Sequence, residues 1–304
     1  MMMISPAKVI CVTLVIIFLV LLETFVPRLE DRNPPRLKLA TLPEYDPILD
    51  VDEQVVSEIA KTLDQPFDDS VCHKMLAEVT VAPNNSMPLM ALASFPRCGN
   101  SWTRKMLHIA TGIYTGSVYE LQGITGALQN TVCVKTHEFD TTTIQRFEAG
   151  AILLMRNPTH SLISEFFRSH KEANPLLTEE DGVALIKNPI QWHHFVTWRV
   201  ERWRSTNISW IQNSKRLLVI FYEDLTENPV RELIKMLQFL RQPILPDRVR
   251  CAVRLNAWQN QKHIDFQVPF PDMLHRYILD VNETLKTFHY RPLPTYDLSF
   301  ESRR

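Results

Sequence analysis

Residues 90–102 read MALASFPRCGNSW, an apolar run followed by a short turn that holds one of only seven glycines in the 304-residue chain. The turn, Phe95 to Gly99, follows a strand-like segment and precedes a segment with apolar residues at helical spacing. A strand that passes through a tight glycine turn into a helix directs backbone N–H groups towards an anion. This stretch therefore predicts an anion-binding turn in an α/β fold.

Four short apolar segments separated by helical ones predict the sheet. We expect strands at Leu89–Ser94, Val132–Lys135, Ala151–Arg156 and Leu217–Tyr222. Such strands are typical of a parallel sheet with helices on both faces, and ligands of these folds bind at the carboxyl ends of the strands. The predicted fold class is therefore α/β, with a P-loop-like parallel sheet. The longest predicted helix carries a packing stripe of four tryptophans, Trp192, Trp198, Trp203 and Trp210.

The N-terminal region predicts a membrane anchor. Val9 to Val26 is apolar except at Thr13, Glu23 and Thr24, and a membrane-spanning helix needs roughly 17–25 residues. A cleaved signal peptide is the alternative. The predicted organisation is a short cytoplasmic tail (1–8), a transmembrane signal anchor (9–26), a proline-rich stem (27–87) with a short helix at 51–63, and a catalytic domain (88–304).

Glycosylation sequons predict that the body of the chain is luminal, as in a single-pass type II protein. Asn84, Asn207 and Asn282 each begin an N-x-[ST] triplet. Four cysteines follow Cys11, and their connectivity cannot be derived from sequence alone. One possibility is a bridge between Cys72 and Cys251 that leaves Cys98 and Cys133 free.

Basic and hydrogen-bonding residues follow three of the predicted strands. They are Arg97 in the glycine turn, Lys135-Thr136-His137, and Arg156-Asn157-Pro158 with Ser161 and Ser164 on the next helix. The formal net charge is −1, so no global field attracts nucleic acid, and a polyanion needs such a local cluster. The three strand ends predict a site for a highly phosphorylated nucleotide. The turn lacks the Walker A lysine, and no metal-ligand spacing is present.

These motifs resemble those of sulfotransferases that use 3′-phosphoadenosine 5′-phosphosulfate (PAPS). Arg97 to Trp102 is similar to the family's 5′-phosphosulfate loop, and Arg156 with Ser164 is similar to its 3′-phosphate motif. Lys135 to His137 matches its K-T-H segment, and Phe221 to Leu225 matches its Y-E-D-L strand end. Residues 93–117 look most like the membrane-anchored sulfotransferases that carry WSC domains. No WSC domain is recognised, so a shortened relative is expected.

The resemblance implies a role for each matching residue, with PAPS as donor and no metal. His137, whose ordinary pKa is about 6.5, would be the general base, and Arg97 and Lys135 would stabilise developing charge. The 5′-phosphate would contact the loop, where backbone N–H groups converge, with help from the Asn100 amide and the Ser101 hydroxyl. The implied donor-binding residues are Arg97, Cys98, Gly99, Asn100 and Ser101 at the 5′ end, Arg156 and Ser164 at the 3′-phosphate, and Trp102 and Tyr222 beside adenine.

The acceptor is not encoded in these motifs. The resemblance implies a hydroxyl acceptor, with a glycan in the Golgi lumen as the expectation and a tyrosine or a small molecule as the open alternatives. The acceptor loops are expected at Gly116–Asn130, at Lys171–Gln191 and in the C-terminal segment. Two departures are Cys98, which replaces a serine, and the lack of a C-terminal R-K-G segment. The nearby basic residues Arg254, Lys262 and His263 receive no role. A catalytically silent glycan-binding or scaffolding module stays open as an alternative, and the missing Walker lysine disfavours a kinase.

Overall fold

A computed structural model describes residues 51–66, 68–120, 128–178, 181–182, 184–185, 188–256 and 271–296. Within them lies a five-stranded sheet in the order β2-β3-β1-β4-β5, and every neighbouring pair is parallel. The strands are β1 (Ala91–Ser94), β2 (Gly116–Ser117), β3 (Val134–Thr136), β4 (Ala151–Met155) and β5 (Leu217–Phe221). The parallel sheet and four of its strands are thus confirmed, whereas the two-residue β2 was not predicted.

Helices precede, connect and follow the strands. They are α1 (Glu53–Leu63), α2 (Asp69–Ala77), α3 (Asn100–Thr111), α4 (Thr141–Arg146), α5 (Pro158–Ala173), α6 (Pro189–Asn213), α7 (Tyr222–Glu227), α8 (Pro229–Phe239), α9 (Pro246–Leu255) and α10 (Pro271–Thr287), with a 3₁₀ turn at Leu128–Asn130. An Asn-Pro pair begins three of them, α5, α6 and α8, because the asparagine caps the helix and the proline suits its first turn.

The tryptophan stripe of α6 is confirmed at three of its four positions. Trp192, Trp203 and Trp210 are fully buried, whereas Trp198 is 71% exposed. At 100° per residue, Trp198 lies on the opposite side of the helix from the row that Trp192, Trp203 and Trp210 share. The prediction of a continuous stripe was therefore wrong at Trp198.

The predicted stem contributes to the core of the domain. Val56 and Ile59 of α1 are buried in the same hydrophobic cluster as the strands, and so is Cys72 of α2. Cys72 is disulfide-bonded to Cys251 of α9, with a Cα–Cα distance of 5.0 Å. The boundary predicted at residue 88 therefore does not separate two packing units in the described part of the chain.

We expect the double substitution Cys72→Ser with Cys251→Ser to lower the free energy of unfolding by about 2–5 kcal/mol. The bridge joins residues 179 positions apart, so its loss releases a long loop in the unfolded chain. Thermal melting of both proteins measures the change. Cys133→Ser, which replaces a buried free cysteine, controls for the loss of a thiol. Equal melting temperatures for the double variant and the wild type would contradict this expectation.

The predicted tail (1–8), anchor (9–26) and first part of the stem lie outside the described residues. None of the helices in the described ranges is long and apolar enough to cross a bilayer. The three sequons differ in their surroundings: Asn84 is exposed, Asn282 is half-buried, and Asn207 is fully buried in α6. A glycan on Asn207 is incompatible with this packing, so the structure does not support that predicted attachment site.

Candidate active site

The glycine turn links β1 to α3 through two residues in left-handed conformations. Arg97 has a φ of 67° and Gly99 a φ of 89°. A Cβ atom at Gly99 would lie 2.8 Å from Cδ2 of Tyr222, closer than side chains approach. Glycine is required at this position both by the backbone conformation and by the contact with the Tyr222 ring.

Helix α3 begins at Asn100, directly after the turn, and its first N–H groups have no acceptor within the helix. The Asn100 side chain does not face the turn, because its Nδ2 donates to the carbonyl of Leu92 (2.9 Å) and to Oγ of Ser94 (3.2 Å) inside the protein. Ser101 is exposed. Asn100 can therefore offer an anion its backbone N–H, whereas help from its side-chain amide, which was expected, is excluded by this packing.

The residues predicted to bind the 5′-phosphate and those predicted to bind the 3′-phosphate meet at the turn. Nε of Arg97 donates to Oγ of Ser164 on α5 (2.8 Å), and Nη1 of Arg156 donates to the carbonyl of Arg97 (2.8 Å). Arg156 follows β4, and Ser164 lies two helical turns into α5. The parallel sheet thus brings two guanidinium groups and one hydroxyl, separated by up to 67 residues in sequence, to the same edge.

Two aromatic residues, Tyr222 and Trp102, pack next to this edge of the sheet. The guanidinium of Arg156 stacks 4.1 Å from the centroid of the Tyr222 ring, which is a cation–π contact. Tyr222 is only 6% exposed and meets Trp102 edge-on, with centroids 6.0 Å apart. Nε1 of Trp102 donates to the carbonyl of Asn256 (2.7 Å). Tyr222 therefore lies under Arg156 and Gly99, and the half-buried Trp102 ring remains the candidate to face adenine.

Cys98, the residue that departs from the family pattern, is a neutral thiol. It is 1% exposed, and its Sγ lies 3.5 Å from Oγ of Ser161. Burial raises the pKa of Cys98 to about 12, so no thiolate forms near neutral pH. Cys98 can contribute its backbone N–H to a phosphate, but its sulfur faces the interior.

His137 follows β3 and points one ring nitrogen at β1. Its Nδ1 lies 2.8 Å from the carbonyl of Ser94, which can only accept a hydrogen bond, so the proton of the neutral ring resides on Nδ1. The remaining nitrogen, Nε2, then carries the lone pair. Ser94 directly precedes the glycine turn. The proton-accepting nitrogen and the anion-binding turn therefore share the end of β1.

The surroundings of His137 keep the imidazole neutral. Burial, and then the charge of Lys135, lowers the pKa of His137 to about 4. Lys135 itself is half-buried, and burial followed by the charge of Arg104 lowers its pKa. The ordinary value of about 6.5 expected for His137 is thus corrected, because desolvation disfavours the imidazolium ion.

A buried carboxylate lies next to Ser164. Glu165 is 1% exposed, and both its oxygens accept hydrogen bonds of 2.6 Å from Arg168 one turn further along α5. Arg168 also pairs with Glu172. Because Arg168 compensates Glu165, this carboxylate adds little repulsion against an anion held by Arg97 and Arg156. The pair was not recognised in the sequence, where a run of charges on a helix resembles any solvated surface.

Two other residues of the site received no role from the sequence. Oε1 of Glu223 accepts a hydrogen bond from the backbone N–H of Asn157 (2.9 Å), which ties the end of β5 to the end of β4. Burial raises the pKa of Glu223. Tyr119, which follows β2, stacks on the His137 ring. A strand of two residues gives no periodic signal, so sequence patterns could not place Tyr119 beside β3.

Of the three basic residues that received no role, only Arg254 lies in the described ranges. Arg254 faces away from this edge of the sheet, since its guanidinium donates to Asp69 (3.1 Å) and to the carbonyl of Leu63 (3.0 Å). Lys262 and His263 lie outside the described residues. In the ranges that are described, no group of three or more His, Cys, Asp or Glu residues is arranged to hold a metal ion.

Residues 125–268 match the family model described as "Sulfotransferase domain". This range includes Lys135, His137, Arg156, Ser164 and Tyr222, and it begins after the glycine turn. This part of the chain is thus similar to sulfotransferase domains, which agrees with the resemblance drawn from the motifs.

Curated relatives of the chain include WSCD family members. The chain is 37% identical over 186 residues to one from Drosophila melanogaster, an alignment that covers 58% of each protein. It is 32% identical over 203 residues to one from Aedes aegypti, with 63% of each protein covered. The chain therefore spans about 58–63% of the length of these relatives.

Solved sulfotransferase structures are similar at a lower level. Mouse sulfotransferase SULT7A1, complexed with PAP, is 16% identical with a TM-score of 0.43, and the alignment covers 70% of this chain and 89% of the mouse chain. A sulfotransferase from Alicyclobacillus acidocaldarius is 14% identical with a TM-score of 0.39, over 68% of this chain and 97% of the other. Neither similarity is strong enough to transfer the role of a residue.

Proposed function

We propose that this chain transfers the sulfuryl group of PAPS to a hydroxyl acceptor. The observation that carries the proposal is the meeting of Arg97, Arg156 and Ser164 at one turn, with His137 bonded to the residue that precedes it. Two guanidinium groups with a hydroxyl are suited to two phosphate-like groups, because guanidinium binds such anions in bidentate fashion. A neutral imidazole nitrogen alongside is suited to remove a proton.

The donor supplies a sulfuryl group bonded to a phosphate oxygen. In the transfer, the acceptor oxygen forms a bond to sulfur while the bond from sulfur to that phosphate oxygen breaks, which leaves the sulfated acceptor and the 3′,5′-bisphosphate. The hydroxyl proton passes to Nε2 of His137, because Nδ1 is occupied by Ser94. Arg97 and Lys135 stabilise the negative charge that grows on the leaving phosphate.

The N–H groups of Gly99, Asn100 and Ser101 provide the cradle for the 5′-phosphate at the start of α3. Arg156 and Ser164 hold the 3′-phosphate, and Trp102 borders the adenine, while the buried Tyr222 ring supports Arg156. The left-handed conformation at Arg97 supports this assignment, since it lets successive N–H groups face one point. His137, with a pKa of about 4, stays unprotonated even in a mildly acidic compartment.

We further propose a glycan acceptor and a Golgi location, with the chain anchored by one N-terminal helix and its catalytic domain luminal. The Cys72–Cys251 bridge supports this location, because disulfides persist in oxidising compartments. The exposed sequon at Asn84 is compatible with it. The WSCD names of the relatives agree with the resemblance to WSC-domain sulfotransferases, from which the expectation of a glycan acceptor came.

Calorimetry with the 3′,5′-bisphosphate and with ATP tests the nucleotide assignment. We expect the bisphosphate to bind and ATP not to bind, and labelled PAPS incubated with a panel of glycans then tests transfer. Binding without transfer to any hydroxyl acceptor would favour a silent module that keeps the fold. Tight binding of ATP alone would contradict the proposal as a whole.

Arg156→Ala is expected to weaken binding of the bisphosphate roughly ten- to a hundredfold, or about 1.5–3 kcal/mol, by removing a charge-assisted contact. The same change removes the bond to the carbonyl of Arg97 and the stacking on Tyr222. Titration calorimetry measures the affinity. Ser164→Ala should weaken binding less, because its hydroxyl is neutral.

Arg216→Ala is the matched control for Arg156→Ala. Arg216 also stacks on an aromatic ring, that of Phe239 at 3.9 Å, but it lies before β5 rather than after a strand. If Arg156→Ala and Ser164→Ala bind the bisphosphate as tightly as the wild type, their assignment to the 3′-phosphate is wrong.

A further inference from the structure

Tyr119 contacts the segment that carries His137 through both its ring and its hydroxyl. Its ring stacks on the imidazole with centroids 5.7 Å apart and 25° between the planes. Its hydroxyl accepts a hydrogen bond from the backbone N–H of His137 (2.8 Å) and donates one to Oε1 of Glu138 (3.0 Å). The side chain is nevertheless 49% exposed. A tyrosine whose burial is so incomplete contributes modestly to the core, yet both its polar and its aromatic parts are engaged with this segment.

The backbone of Tyr119 is held on both sides. Strand β2 pairs with β3, and the N–H of Val118 donates to the carbonyl of Lys135 (3.1 Å). The following residue, Glu120, pairs with Arg104 of α3 (3.0 Å). Arg104 also donates to Oγ1 of Thr115 (2.8 Å). Tyr119 is thus fixed to the sheet and to the helix that begins at the glycine turn, so its ring is a stable surface against His137.

The hydrogen bond from Nδ1 to Ser94 does not restrain every motion of the imidazole ring. That bond determines the tautomer and the position of one ring atom, but the plane of the ring can still tilt about it. A tilt moves Nε2, the atom that must lie within about 2.6–3.2 Å of the acceptor oxygen. The Tyr119 ring, nearly parallel to the imidazole, obstructs such a tilt on one side.

We propose that Tyr119 is a positioning residue for His137, which holds the imidazole plane so that Nε2 meets the acceptor hydroxyl. The proposal rests on the proposed role of His137 as base. Its hydroxyl fixes the backbone at His137 and its ring fixes the side chain, so the two parts of Tyr119 have separable effects. Small displacements of a catalytic group carry large kinetic costs, since the reacting atoms must be closely aligned.

Tyr119 also shields the imidazole from water. The charged groups that act on this ring come from three elements: Lys135 of β3, Glu165 of α5 and Arg202 of α6. Burial has a larger effect on the ring than any of these charges. Removing an aromatic neighbour that covers one face therefore should raise the pKa of His137 towards its ordinary value, while the charges stay in place.

Tyr119→Leu and Tyr119→Phe test the proposal, with Tyr114→Phe as the matched control. Tyr114 lies in the same segment but meets a different histidine, His108, edge-on at 5.4 Å. We expect Tyr119→Leu to lower kcat about tenfold or more without changing affinity for the bisphosphate. It should also raise the pKa of His137 followed by NMR. Tyr119→Phe, which keeps the ring, should lower kcat by a smaller factor and move the pKa little.

A folded Tyr119→Leu protein with the kcat and the His137 pKa of the wild type would overturn the proposal. Equal losses of kcat in Tyr119→Phe and Tyr114→Phe would also overturn the proposal, because they would reflect a general loosening of this segment. The proposed base is judged separately. If His137→Ala turns over normally, the base assignment fails. If His137→Ala loses turnover and Tyr119→Leu does not, only the role of Tyr119 is rejected. Because the NMR titration needs no turnover, it decides whether Tyr119 controls the imidazole even in an inactive protein.

Discussion

Replacing His137 with alanine is expected to lower turnover about 10²- to 10⁴-fold while affinity for the 3′,5′-bisphosphate stays nearly unchanged. The base acts on the proton of the acceptor, and its Nδ1 is bonded to Ser94 rather than directed at the phosphate residues Arg97 and Arg156. Steady-state kinetics with PAPS and an identified acceptor, together with calorimetry of the bisphosphate, separate the two effects.

The pH dependence adds a second test of the same residue. A general base is active when it is unprotonated, so kcat/KM falls as the pH drops through the pKa of the base in the free enzyme. With the pKa of His137 at about 4, this group causes no loss of kcat/KM between pH 7 and pH 5. A fall in kcat/KM near pH 6.5 that disappears in His137→Ala would contradict the low pKa of His137. The same result would still support His137 as the base.

His108→Ala is the control for His137→Ala. His108 lies on α3, bonds to Thr115, and has a pKa that burial, followed by the charge of Arg104, likewise lowers to about 4. Its replacement should leave turnover unchanged, because it takes no part in the proposed chemistry. Melting curves of both variants show whether a loss comes from unfolding. A folded His137→Ala protein with normal turnover would end the assignment of this histidine as the base.

Arg97→Ala is expected to lower kcat about 10²- to 10³-fold and to weaken binding of the donor. Its charge meets the phosphosulfate in the ground state and more strongly in the transition state, so both quantities respond. Arg97→Lys should retain substantial activity if the cation acts mainly by charge. Kinetics and donor affinity of the three proteins measured together give the comparison.

The contact between Arg97 and Ser164 supplies a control for that experiment. Ser164→Ala removes the acceptor of the 2.8 Å bond from Nε of Arg97 but leaves the charge in place. Its kcat should therefore stay well above that of Arg97→Ala. If Arg97→Lys is as inactive as Arg97→Ala, the fork geometry of the guanidinium is required rather than its charge. Full activity of Arg97→Ala would remove the residue from the mechanism.

Local sequence was sufficient for the strands and for the basic and hydroxyl groups at their ends. Strand β4, Ala151–Met155, is a continuous apolar segment, and its position beside β1 and β5 agrees with the expected parallel sheet. Arg156 and Ser164 were grouped with Arg97 because the carboxyl ends of parallel strands share one edge. These predictions succeeded because strand length, apolar continuity and the end of a strand are properties of a few consecutive residues.

Side-chain direction was less predictable. Asn100 lies in the loop motif, but its amide bonds to Leu92 and Ser94 in the interior. Trp198 belongs by sequence to a series of tryptophans and is exposed on α6. Both errors arise because the side of an element that faces the core depends on what packs against it, and no local pattern includes the partner.

The sequence by itself determined the parallel α/β fold, the tight turn at Gly99 and the residues that gather at the strand ends. Only the tertiary structure decided that Cys72 is bonded to Cys251, that the pKa of His137 is lowered to about 4, and that Tyr119 lies against its ring. The physical reason is the same in each case. Disulfide pairing, desolvation and stacking depend on groups brought together from distant parts of the chain, whereas strands and turns follow from neighbours in sequence.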